Sequence, residues 1–337
     1  MLAPRIPSRP PTRARSARVS PAVAVLGLLV LCCAAPATWA EPLLQRFRAA
    51  TITTDDLAAV ERDYVATLGY VVRERGKVPR ALARSWGAPK AAGQPYLLLS
   101  PDAAPDVFIR VVRAPHVPDY RPLTTYGWNA IEIVVEDTDA TYAAFQGTPF
   151  RVIGEPANLS GYPSIRAFQV EGRAQEVLYL TSETGDRSRS PLPPPNGPIG
   201  RIFIMVVAGP EPQRLVDWYA ERFNMARGTL RDRPVGVLQR AQGLPPDRLL
   251  PLTTMRLAQQ GNLLELDGYS ENAGPRPVQR GHLPPGVAIT TMSVRNIAAL
   301  DLPFITPPRV LDGPLYGGRR AATARGPAGE LVEIVED

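Results

Sequence analysis

The chain has 337 residues, of which 45% are hydrophobic and 21% charged, with two cysteines and two histidines. Its formal charge of +6 does not mark a nucleic-acid binder. Five arginines and no acids fall in the first forty residues, leaving 6 − 5 = +1 for the rest, where no basic run interleaved with aromatics appears. Both cysteines, Cys32 and Cys33, lie in that same segment, so beyond it there is no disulfide, no thiolate nucleophile and no cysteine metal site.

In chain order, Arg5, Arg9, Arg13, Arg15 and Arg18 precede the apolar run "PAVAVLGLLVLCCAAPA", which ends in "ATWA". A charged segment, an apolar segment and a small-residue cleavage site make residues 1–40 an export signal, cut near Ala40. The mature protein is then periplasmic or secreted, with no stable membrane insertion. The run is short for an uncleaved anchor, and Leu31 is bulky for a lipoprotein site at Cys32. The roughly 297 residues that remain are enough for two domains.

After the signal, the strand "AATIT" leads into the helix "DDLAAVERDYVATLG" and the strands "PYLLLS" and "DVFIRVV". A second unit begins at "WNAIEIVVED", continues with the helix "TDATYAAFQ" and ends in "EVLYLT". The stretch "ETGDRSRSPLPPPNGPIG" follows. Polar and then proline-rich, it reads as a semi-rigid linker over residues 184–199, not as a packed element. "RIFIMVV" and the helix "PEPQRLVDWYAERFN" open a third unit, and "VAITTMSV" to "ELVEIVE" make a fourth. Apolar residues at helical spacing, with acids near the helix starts, support these helices. The order strand–helix–strands is thus predicted four times.

The halves echo each other. "LARSWGAP" (Leu82–Pro89) matches "LQRAQGLP" (Leu238–Pro245), "RDYVATLGY" matches "DWYAERFNM", and "VEGRAQEVLYL" matches "ARGPAGELVEI". Three matches at offsets of 156, 155 and 154 residues argue for duplication. The predicted domains are residues 41–183 and 200–337.

Four such units, a glycine before each late strand and the first helix's D-x-x-x-x-x-x-D-Y-x-x-x-L-G pattern resemble the vicinal oxygen chelate superfamily, the fold of glyoxalases, bleomycin-resistance proteins and extradiol dioxygenases. "WGAP", "GWNAIEIVVED" and "EVLYLT" look like phrases of its glyoxalase-like members. The resemblance covers nearly all of residues 48–337. It implies an α+β fold in which four βαβββ units build two cup-shaped domains. It also implies lyase, isomerase, ring-cleaving dioxygenase or drug-sequestering activity. The first three mostly use a divalent metal, held by His, Gln or Glu on a unit's first strand and Glu on its last.

The ligand count does not meet that implication. The first-strand register gives Ala49, Ala130, Ile202 and Ile289, and none of these binds a metal. The two histidines, His116 and His282, sit in proline-flanked loops. The last-strand positions hold Arg110, Tyr179, Glu265 and Glu333, the last two in the echoing stretches "GNLLELDGY" and "GELVEIVED". No cofactor is predicted, while a divalent metal on non-standard ligands stays open.

Strand alternation places Arg110, Glu132 and Tyr179 as ligand-binding residues in a cup of the first half, with Arg110 able to pair with Glu132. Glu265 and Glu333 share a cup of the second half as catalytic acids, one with a raised pKa. The structural alternative is that both are solvated or pair with Arg319, Arg320 or Arg325. Three functions stay open. One is a metal-independent protein that binds a small organic molecule, with acid–base chemistry by these glutamates. The others are a metalloenzyme with non-standard ligands and a non-catalytic module whose cups are filled by side chains.

Overall fold

The computed structural model describes residues 41–337; the predicted export signal lies outside the described residues. The first quarter runs through β1 (Leu44–Thr54), α1 (Leu57–Leu68), β2 (Val71–Lys77), α2 (Arg80–Ser85), β3 (Pro95–Ser100) and β4 (Phe108–Arg113). The second contains β5 (Gly127–Val135), α3 (Thr138–Phe145), β6 (Arg151–Leu159), β7 (Tyr162–Glu171) and β8 (Val177–Glu183). The third contains β9 (Ile199–Gly209), α4 (Pro212–Phe223), β10 (Arg231–Arg233), α5 (Gly236–Ala241), β11 (Leu250–Arg256) and β12 (Leu263–Gly268). The fourth contains β13 (Gly286–Val294), β14 (Arg309–Leu311), β15 (Arg319–Arg325) and β16 (Leu331–Glu336).

The predicted strand–helix–strands order holds in three quarters. In the fourth, a 3-10 turn at Ile297–Ala299 stands in place of the helix. Only a few residues separate Asn296 from Pro303, and proline both lacks an N–H and disfavours a helical residue before it. Elsewhere the caps define the helices. The Asp56 side chain accepts the Ala59 N–H at the start of α1, and Gly69 ends that helix at φ 67°. Pro212 opens α4, and Asn224 ends it at φ 52°.

The strands form two eight-stranded sheets, ordered β14-β15-β16-β13-β1-β4-β3-β2 and β10-β11-β12-β9-β5-β8-β7-β6. Each sheet therefore joins quarters from different halves: first with fourth, and second with third. The predicted division at residues 184–199 marks the repeat but not the sheets. A single unit would leave the N–H and C=O groups of its first strand unpaired along one edge. Antiparallel pairing of β1 with β13, and of β5 with β9, satisfies those edges.

The duplication is visible in other contacts. The Tyr64 hydroxyl donates to Glu176 Oε1 at 2.9 Å, and the Tyr219 hydroxyl donates to Glu330 Oε1 at 3.3 Å. These bonds tie the first quarter to the second and the third to the fourth. They join the segments whose sequences echo.

Alternation along the central strands divides their side chains between two surroundings. Ile131 and Ile133 of β5, Leu264 and Leu266 of β12, and Val332 and Ile334 of β16 enter one large core with α1 and α4. The opposite faces line two separate cups. In the cup of the first and fourth quarters (cup 1/4), Phe108, Val112, Leu331 and Val335 flank the polar positions. In the cup of the second and third quarters (cup 2/3), Ala130, Val134, Val177, Val206 and Leu263 do so.

The proline-rich connection packs, contrary to its predicted character. Leu192 is buried in the cluster that lines cup 2/3, and the buried Ser190 hydroxyl donates to Glu183. Among the described residues, no helix is long and apolar enough to cross a membrane.

Candidate functional site

Register defines four equivalent cup-facing positions per sheet, polar at all but Val206. Arg110 on β4 lies beside Thr51 on β1, and Glu333 on β16 lies beside Thr291 on β13. In the other sheet, Glu265 on β12 lies beside Val206 on β9, and Tyr179 on β8 lies beside Glu132 on β5. The predicted last-strand positions stand. The first-strand positions are Thr51, Glu132, Val206 and Thr291 in place of Ala49, Ala130, Ile202 and Ile289. The expected register lay two residues too early in β1, β5 and β13 and four too early in β9.

This register corrects the predicted groupings. Glu265 and Glu333 belong to different cups and do not form a pair. Arg110 is separated from Glu132 and Tyr179, which stay together. Arg110 pairs with Glu333, not Glu132, while Arg320 pairs with Glu336. The cause is the crossed pairing of quarters, which puts residues of opposite halves on the same concave face.

In cup 1/4, the sequence meets the cost of burying a charge internally. Arg110 and Glu333 are each 1% exposed. Arg110 donates through Nη2 to Glu333 Oε2 at 2.9 Å, through Nε to Thr51 Oγ1 at 2.8 Å, and through Nη1 to the Tyr316 hydroxyl at 2.6 Å. Glu333 also accepts from Trp86 Nε1 at 2.7 Å, Thr291 Oγ1 at 2.6 Å and the Tyr316 hydroxyl at 3.0 Å. The guanidinium lies 4.6 Å from the Trp86 ring centre, a cation–π distance. Burial opposes the charge on Arg110, but Glu333 and Tyr316 overcome it and hold its pKa above the ordinary value. Above this network lies a narrow cleft of about 270 Å³, open mouth included, walled by Trp86, Tyr96, Leu98 and Tyr316.

Among the described residues, no cation acts on the acids of cup 2/3. Glu132 and Asp267 are 4% and 3% exposed, while Glu265 is half-buried. Thr181 Oγ1 donates to Glu132 Oε2 at 3.3 Å. Asp267 Oδ1 and the Tyr269 hydroxyl are buried without a hydrogen-bond partner. Such orphans call for an explanation, because an unpaired buried polar atom is costly. Burial, and then the neighbouring Glu265 charge, push the Glu132 carboxyl well above its ordinary range. Burial pushes Glu265 up to about 7. Burial, then Glu265 and Glu132, push Asp267 well up. Burial and the three acids raise the Tyr179 hydroxyl too.

The echo between "LARSWGAP" and "LQRAQGLP" has a structural meaning. Each forms a short helix that closes one cup, α2 with Leu82 and α5 with Leu238. Each is followed by a glycine in the left-handed region, Gly87 at φ 67° and Gly243 at φ 64°. Between helix and glycine the two cups diverge. Trp86 donates into the Arg110–Glu333 network, whereas Gln242 binds Ser270 and the Leu123 carbonyl.

Asp267 was legible in sequence, two residues beyond Glu265 on the same strand face. Thr181 stands likewise two residues beyond Tyr179. Tyr316 lies on the loop between β14 and β15, where no periodicity points to it. His116 and His282 are in loops, as predicted, the first exposed and the second half-buried.

Chains of the same architecture follow from comparison with solved structures. Maize glyoxalase I superposes with a TM-score of 0.56 at 16% identity, over 86% of this chain and 92% of that one. A Bacillus subtilis protein described as a candidate dioxygenase gives 0.59 at 13% identity, over 87% of this chain and 86% of that one. This is the vicinal oxygen chelate fold. No family model and no curated protein matches the sequence. The vicinal oxygen chelate cups here do not suit the fold's usual divalent metal. In cup 1/4 the Glu333 carboxylate is already occupied by four donors. In cup 2/3 the acids do not converge: among the described residues, no group of three His, Cys, Asp or Glu is arranged to hold a metal ion.

Proposed function

We propose that the chain is an exported protein that binds a small organic molecule in cup 2/3, without a metal. Glu132 and Glu265 would exchange protons with it, while Tyr179 offers a hydrogen bond. The observation that carries this reading is the cluster of Glu132, Glu265 and Asp267 on one concave face, with Asp267 Oδ1 and the Tyr269 hydroxyl unpartnered. A carboxyl whose pKa is about 7 serves as both acid and base near neutral pH, and strongly shifted acids in a cleft are candidates for a working site. Cup 1/4 is the structural counterpart, because its charges satisfy each other. Export rests on the Arg-rich, apolar and small-residue pattern of residues 1–40, and N-terminal sequencing of the exported protein tests it.

A ligand-detected NMR fragment screen on the mature chain tests the site. Binding fragments are expected to lose affinity in Glu132→Gln and Glu265→Gln, with Glu333→Gln as the cup 1/4 control. Fragments that bind equally to the wild type and to both cup 2/3 variants would place the working site elsewhere. A stoichiometric metal that disappears in Glu132→Gln would overturn the metal-free reading.

A further inference from the structure

Cup 2/3 is arranged like the shell of a counter-ion. Glu132 on β5 and Glu265 and Asp267 on β12 face one apolar concavity, and the charges acting on Glu132 and Asp267 are those of the other acids. The Tyr269 hydroxyl, on the same strand line two residues past Asp267, is buried with no partner. Arg276 acts on Tyr269, yet its own N–H groups are engaged by the carbonyls of Trp128, Pro285 and Val287.

Cup 1/4 shows what this framework holds when it is complete. At the position equivalent to Glu265 stands Arg110, an organic cation bonded to Glu333 and lying over Trp86. Among the described residues, the chain supplies its own cation to one cup, and none acts on the acids of the other. We propose that cup 2/3 takes a small organic cation, an ammonium or amidinium group on a compact apolar body. The proposal rests on reading that cup as the working site. The charged group sits in the combined field of Glu132, Glu265 and Asp267, with Tyr269 and Tyr179 beside them. The body meets Tyr126, Ile153, Val235 and Leu244, which pack against the same cup and keep part of their surface exposed. A bare metal ion lacks converging ligands, and an anion meets three acids.

A cation favours the ionised carboxylates, so its binding expels protons and strengthens as pH rises. The titratable groups facing the ligand are Glu132 from β5, Glu265 and Asp267 from β12, Tyr179 from β8 and Tyr269 after β12, with Tyr120 and Arg276 beyond Tyr269. The test is calorimetric titration of the mature chain with benzylamine, benzamidine, the neutral benzyl alcohol and the anionic benzoate, at pH 5 to 8 in two buffers. The expected result is that both cations bind at least about tenfold more tightly than benzyl alcohol. Their affinity should rise about tenfold per pH unit for each proton released to the buffer, and Glu132→Gln and Asp267→Asn should reduce it. The wild-type pH series stands alone if those variants do not fold. Binding of benzyl alcohol or benzoate as tight as that of benzylamine overturns the cation while leaving the cup a binding site. No binding of either cation, or binding with no proton release, also overturns it; whether the cup binds anything is decided separately by the fragment screen.

Discussion

Arg110 and Glu265 occupy equivalent positions in the two sheets, each on the strand that runs parallel to its quarter's first strand. One is a buried cation hydrogen-bonded to Glu333. The other is a half-buried acid whose nearest charged neighbours on the same face are acids. Duplication gave both cups the same backbone, and divergence at four positions gave one cup a closed ion pair and the other a set of unpaired carboxyls.

The first prediction concerns that ion pair. Removing one partner of a buried pair strands the other, at a cost of about 3–5 kcal/mol, whereas replacing both with apolar residues is often near neutral. Arg110→Met is therefore expected to destabilise by that amount, and Arg110→Met with Glu333→Leu by much less. Urea unfolding of the two single variants and the double variant checks this. Additive losses would mean that the two side chains do not act as a pair.

The second prediction follows from the two symmetric tyrosine–glutamate contacts. Burial pushes Glu176 and Glu330 to about 7, although backbone and tyrosine hydrogen bonds pull the other way. Unfolded glutamates titrate near 4.5. Between these values the folded protein keeps protons that the unfolded chain has lost, so stability falls as pH rises and levels off above about 7. The loss is roughly 3 kcal/mol per group. Unfolding free energies at pH 5 and pH 8 should differ less in Glu176→Gln/Glu330→Gln than in the wild type; an unchanged difference would contradict the assignment.

The third prediction concerns the glycines that face those carboxyls. A Cβ on Gly172 would collide with the Glu176 carboxyl, and one on Gly326 with the Glu330 carboxyl. Either alanine variant must move a buried acid and is expected to cost about 1–3 kcal/mol. Thermal melts of Gly172→Ala and Gly326→Ala should show similar losses. A loss in only one would show that the two turns are no longer equivalent.

Much of the fold was legible because its signals are local. The alternation in "WNAIEIVVED" and "ELVEIVED" separates cup from core side chains, and the offsets between the halves reveal the repeat. What stayed hidden was the partner of each first strand. An exposed edge carries no sequence mark of which other edge it meets, so the pairing of β1 with β13 had to come from the structure. That one unknown regrouped Arg110, Glu265 and Glu333, while Glu132 and Tyr179 stayed together. The Arg110–Glu333 pair joins residues more than two hundred positions apart, beyond the reach of any spacing argument. Asp267 was within reach: it follows from Glu265 by the same two-residue step that places Glu333 between Leu331 and Val335.

The most direct measurement is a carbon-13 NMR titration of the side-chain carboxyls in residues 41–337, assigned by Glu132→Gln, Glu265→Gln and Asp267→Asn. The prediction is that Glu265 titrates near 7, with Glu132 and Asp267 also above the ordinary carboxylate range. If all three titrate near about 4, as solvated or ion-paired carboxyls do, cup 2/3 holds no unpaired acids and the proposed site is wrong.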